Sequence, residues 1–109
     1  MLSNVLEYKN YTTFVRYSAE DDCLYGKIEG IRSTILFDDS EQPIVEAFHE
    51  AVDEYLQYCE QVGIEPEKAY KGSWNVRVSS DLHRRAAIKA EKEQTTLNRI
   101  TEQALMAYV

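Results

Sequence analysis

Apolar residues recur along this chain first in strand-like clusters, then at helical spacing, then in strict alternation, and finally at helical spacing again. Residues 11–17 are rich in aromatic and β-branched types and read as a strand, followed by a polar turn at 18–22. Residues 23–28 read as a second strand. Residues 32–37 read as a third, ending at Asp38, Asp39 and Ser40. Three strands with short connections predict an antiparallel meander. A helix is expected from about residue 41 to residue 62, because Val45, Phe48, Val52, Tyr55, Leu56 and Cys59 recur three and four apart. Ser40 is a suitable N-cap, and Pro43 falls in the first turn, where its missing N–H costs little. Gly63 ends the helix, Pro66 prevents its resumption, and residues 64–71 form a short linker.

After Gly72 the period becomes two. Trp74, Val76 and Val78 fall on one face, and Ser73, Asn75 and Arg77 on the other. Ser79 or Ser80 caps a helix running to about residue 93. Thr95 and Thr96 offer a further cap, and the last helix carries Leu97, Ile100, Thr101, Ala104, Leu105 and Tyr108 on one face. A strand and two helices in under 40 residues cannot bury enough surface to stand alone, and a lone strand leaves its backbone unpaired. Both problems vanish if two copies pair their strands antiparallel and pack their helices together. The resulting ribbon fits a DNA major groove. Trp74, Val76 and Val78 would then face the shared core, while Ser73, Asn75 and Arg77 face the bases. Arg77 can pair with guanine O6 and N7, and Asn75 with adenine N6 and N7. The free backbone N–H groups at the start of the last helix, around Thr96, Leu97 and Asn98, could hold a phosphate together with the Thr96 and Asn98 side chains. The competing reading makes this segment one more strand-and-helix layer of a single α+β domain, with Arg77 a solvated strand residue.

A net charge of −7 runs against DNA binding until the chain is divided. Residues 1–70 carry 5 Lys+Arg against 15 Asp+Glu, a balance of −10, and residues 71–109 carry 7 against 4, a balance of +3. Such asymmetry points to two partners: phosphate for the basic tail, and a basic protein for the acidic body, whose charge also serves solubility. No apolar run approaches a membrane span, and the first residues lack the features of a leader, so a cytoplasmic location and no membrane partner are expected. Cys23 and Cys59 lie in different elements without ligand-like spacing and read as reduced thiols.

The residues from Gly72 to His83, followed by Thr96, Leu97 and Asn98, resemble the ribbon-helix-helix tail of HicB-type antitoxins. Tyr25, Gly26, Lys27, Ile28, Glu29, Gly30 and Ile31 look like that family's central strand and turn. The run from Phe48 to Leu56, with Cys59 and Gly63, looks like its helix. The resemblance extends from about Tyr11 to Leu105. It implies a body (residues 1–70) like a partial, non-catalytic RNase H fold that neutralises a small basic mRNA-cleaving HicA-like toxin. It also implies a tail (residues 71–109) that dimerises and represses its own operon by binding operator DNA. The family usually has Gly between the tail helices, where this chain has Glu93, Gln94 and Thr95. A left-handed Gln94 would cost about 1 kcal/mol, which leaves room for a different local turn.

An RNase H-like body also invites a search for metal-binding carboxylates. Asp21, Asp22, Asp38 and Asp39 read as solvated turn residues, and His49 with Asp53, four apart on a helix, lacks the further ligands a metal site requires. The expected protein is α+β, not an enzyme, without metal or cofactor, and a homodimer or larger. A ribbon-helix-helix repressor whose body binds a different partner is the alternative.

Overall fold

The computed structural model describes residues 3–109, and these divide into two units, one up to Ser73 and one from Trp74 to Val109. The class is α+β, with three helices and two small antiparallel sheets. Val5–Tyr8 (β1) and Tyr11–Phe14 (β2) form a hairpin whose two turn residues, Lys9 and Asn10, both have positive φ (49° and 67°), as a type I′ turn requires. The predicted strand over 11–17 is thus two strands. It breaks at Val15, whose N–H donates to the Asn4 carbonyl at 2.8 Å, and Arg16–Ser18 (β3) continues into a different sheet. There β3 pairs with Cys23–Lys27 (β4), and β4 with Leu36–Asp38 (β5), all antiparallel. Two bonds tie the sheets together: the Thr13 hydroxyl donates to the Lys27 carbonyl at 2.7 Å, and the Glu29 N–H to the Thr12 carbonyl at 2.8 Å.

Ile44–Val62 (α1) covers one face of this sheet. Its buried residues, Ala47, Phe48, Ala51, Val52, Tyr55 and Cys59, share one helical stripe. Phe48 is fully buried, with its ring 5.4 Å from that of Phe37 in β5. Gly26 in β4 is required by this packing, since a Cβ there would lie 2.6 Å from Thr13 Oγ1 and 2.8 Å from Phe37 Cζ. The helix starts later than predicted. Pro43 precedes it without a side-chain cap, because the Ser40 hydroxyl and N–H are drawn to the Asp38 carboxylate instead. At its other end, Gly63 in the left-handed conformation closes the helix, with the Gly63 and Ile64 N–H groups donating to Glu60 and Cys59.

The segment after α1 folds back as a strap held by one carboxylate. Glu67 accepts from the Arg32 N–H (2.7 Å), the Ser33 N–H (3.1 Å) and the Ser33 hydroxyl (2.6 Å). Its backbone is held as well: the Tyr11 hydroxyl donates to the Glu67 carbonyl at 2.7 Å, and the Glu67 N–H donates to the Tyr55 hydroxyl at 2.8 Å. These bonds hold residues 32 and 33 in a loop, which accounts for β5 beginning at Leu36 rather than at 32. The Ser33 hydroxyl and the Arg32 N–H hold the Glu67 carboxyl below its ordinary value of 4.5. A carboxylate depressed in the folded state contributes stability that is present above its unfolded value and lost as pH falls through the folded one. Acidification to below the ordinary value of 4.5 should therefore release the Arg32 and Ser33 amides, seen as loss of exchange protection, and Glu67→Gln should remove that pH dependence. Amides that keep the same protection across this range would exclude the clamp.

Candidate nucleic-acid interface

The second unit is a helical hairpin preceded by an extended lead. Ser80–Lys92 (α2) is capped by Ser79, whose hydroxyl accepts the Leu82 N–H at 3.1 Å. Leu97–Tyr108 (α3) is capped by Thr96, whose hydroxyl accepts the Arg99 N–H at 3.1 Å. Both caps are ones the sequence marks. The turn between them keeps a left-handed residue: Gln94 has φ 53°. The Thr95 N–H donates to the Ala90 carbonyl and the Gln94 N–H to the Glu91 carbonyl, the pair of bonds that defines a Schellman closure. Gln94, not a glycine, thus occupies the left-handed position of this closure and bears its conformational cost. Gln94→Gly should stabilise this hairpin by up to about 1 kcal/mol, whereas Gln94→Val, β-branched at positive φ, should destabilise it. Thermal melts of the two variants check this, and equal midpoints would contradict it.

Ser73, Asn75 and Arg77 are exposed, and among the described residues none of the three side chains makes a hydrogen bond or an ion pair. The alternating segment that contains them pairs with no strand among the described residues. Its apolar members are left in water, with Trp74 67% exposed, Val76 61% and Val78 55%. A strand forms only against a partner, and the described residues offer this segment none. The helices continue the same deficit: Ala90 alone is buried in this unit, while Leu82, Ile88, Leu97 and Leu105 are exposed. Around 36 residues with a single buried alanine lack a hydrophobic core.

At the start of α3, the Leu97 and Asn98 N–H groups have no acceptor among the described residues, and the Asn98 side chain is exposed and unbonded. The Thr96 oxygen is occupied as a cap, but its own hydroxyl proton is left over for an anion. Thr96→Ala would therefore remove about 1 kcal/mol of helix capping as well as any phosphate contact. Arg84 and Arg85 lie on α2 and pair with Asp81 at 2.9 and 3.8 Å.

The first unit presents its acidic residues in local roles. Asp38 accepts from Ser40, Asp39 from the Leu24 N–H, and Asp22 from the Tyr17 hydroxyl. Asp53 pairs with Lys9 at 2.7 Å and accepts from the Tyr8 hydroxyl, while the His49 ring stacks on Tyr8 at 4.0 Å. Among the described residues no group of three or more His, Cys, Asp or Glu side chains is placed to hold a metal ion, and no helix is long and apolar enough to cross a membrane. Sequence reading missed the Glu67 clamp. Its partners lie 34 and 35 residues away, and no local pattern announces them.

Residues 55–105 match the model of the HicB family, from the middle of α1 to the last turns of α3. The matched stretch includes Ser73, Asn75, Arg77, Thr96, Leu97 and Asn98, while the strands of the first unit lie outside it. No curated protein and no solved structure matches the chain.

Proposed function

We propose, from the similarity of residues 55–105 to the HicB family, that the protein is an antitoxin and autoregulator. Its first unit, a partial RNase H-like body without catalytic activity, neutralises a small basic HicA-like mRNA-cleaving toxin. Its second unit dimerises and represses its own operon by binding operator DNA. The observation that carries the second half is the unpaired segment Trp74, Asn75, Val76, Arg77 and Val78. It has strand alternation, three apolar side chains in water and no pairing partner among the described residues. A second copy supplies the partner: antiparallel pairing satisfies the backbone, and the exposed faces of α2 and α3 close over Trp74, Val76 and Val78. Ser73, Asn75 and Arg77 then enter the major groove, and the start of α3 seats a phosphate. The charge division supports the assignment of partners, since phosphate favours the basic tail and a basic toxin the acidic body.

The test is co-expression with a HicA-like toxin, a small basic mRNA-cleaving protein, with and without operator DNA. Rescue of growth, a co-purifying toxin and a retarded operator fragment are expected. Operator binding without rescue would leave a ribbon-helix-helix repressor whose body serves another partner.

A further inference from the structure

Helix α1 covers only one face of the three-stranded sheet, the face that carries Gly26 and Phe37. Strand alternation and the observed register place Arg16, Tyr25 and Asp38 in one row on the other face, Lys27 and Leu36 in the next, and Ser18 and Cys23 in the third. That face holds apolar surface in water, with Leu36 68% exposed and Tyr25 38%. A shallow depression of about 280 Å³ runs across it, lined by Ser18, Asp21, Cys23, Tyr25, Leu36 and Asp38 among others.

The charge around this face is not evenly spread. The β3–β4 turn and the end of β5 lie at the same end of the sheet, since Ser18 pairs with Cys23 and the Leu24 N–H donates to Asp39. Asp21 and Asp22 in the turn therefore meet Asp38 and Asp39. Arg16 shares the row of Asp38 from the opposite edge strand, and Lys27 lies in the next row, away from the turn.

We infer that the uncovered sheet face centred on Tyr25 and Leu36 is the docking surface for the basic toxin, with Asp21, Asp22, Asp38 and Asp39 opposing its cations. This rests on the antitoxin reading of the first unit. The choice of occupant comes from charge. Residues 1–73 carry 6 Lys+Arg against 15 Asp+Glu, a balance of −9, so two copies repel while a basic partner is attracted. An apolar centre with a charged rim is the usual anatomy of such a contact: the centre sets the dissociation rate, and the rim steers association.

The experiment titrates the protein with a purified HicA-like toxin. Four variants are compared: Leu36→Lys, Leu36→Ala, Asp21→Lys, and Glu54→Lys as a control of equal charge change on α1. Leu36 and Asp21 are exposed, and neither side chain is hydrogen-bonded, so the fold should survive; thermal melting verifies it. Leu36→Lys is expected to weaken binding roughly tenfold or more, Leu36→Ala less, and Asp21→Lys mainly through a slower on-rate at low salt, with Glu54→Lys near wild type. No binding by the wild type would overturn the antitoxin reading and this surface with it. Wild-type binding that Leu36→Lys and Leu36→Ala leave unchanged would overturn the surface alone. A solution mass that falls in Leu36→Lys, with toxin affinity unchanged, would assign the face to a second copy instead.

Discussion

Arg77→Ala is expected to weaken operator binding by about 2–6 kcal/mol, roughly thirtyfold or more, and to flatten sequence preference. The chain of reasons is short. Trp74, Val76 and Val78 are the apolar members of an alternating segment and have no cover in their own chain. Packing them between two copies forces residues 73, 75 and 77 to point the other way. Of these three, Arg77 has the longest reach and a bidentate donor fork, and no internal carboxylate competes for it among the described residues. One good bidentate contact discriminates by about 1–3 kcal/mol, and a two-fold dimer makes it twice. Asn98→Ala should differ in kind. A phosphate contact carries no base information, so affinity should fall on operator and scrambled DNA alike. Toxin neutralisation should survive both changes, since neither residue belongs to the first unit. Unchanged operator affinity and specificity in a folded, dimeric Arg77→Ala protein would remove Arg77 from the interface.

Phe48→Ala should have the opposite pattern and a comparable size. Phe48 is fully buried beside Phe37, and it joins α1 to the sheet that Gly26 brings close. Truncating a buried Phe costs about 3–5 kcal/mol through lost transfer energy and the cavity left behind. A small domain has about 5–15 kcal/mol in total, so most of this unit's margin would be lost. Neutralisation should fail at growth temperature while operator binding by the second unit persists, because Ser79 and Thr96 cap its helices with no help from Phe48. Chemical denaturation followed through tyrosine signals of the body gives the stability change. A loss below about 1 kcal/mol would show that the α1–sheet interface is not the main support of the body.

What the sequence made legible follows the reach of the forces involved. The helices were readable because their stripes repeat over many turns, and the caps at Ser79 and Thr96 because a hydroxyl and its N–H partner lie three residues apart. Local competition misled at Ser40, where a carboxylate two residues away outbids the helix for the hydroxyl. Strand β1 escaped notice because Lys9 and Asn10 make a tight turn without glycine. The break at Val15 and the late start of β5 depend on partners from Asn4 and Glu67, which no window of neighbouring residues contains. The alternation of residues 73–78 was plain in the sequence, yet no strand forms in the single chain, because a strand is a property of a pair.

Hydrogen exchange at the backbone amides of residues 74–78, in full-length protein without DNA and over a range of concentrations, tests that pairing most directly. A two-stranded ribbon bonds alternate amides across the two-fold axis, so about half of them should be strongly protected, and the protection should fade on dilution as the dimer dissociates. If these amides instead exchange at the rate of an open chain at every concentration, while those of α1 stay protected, the segment pairs with nothing and the ribbon model is wrong.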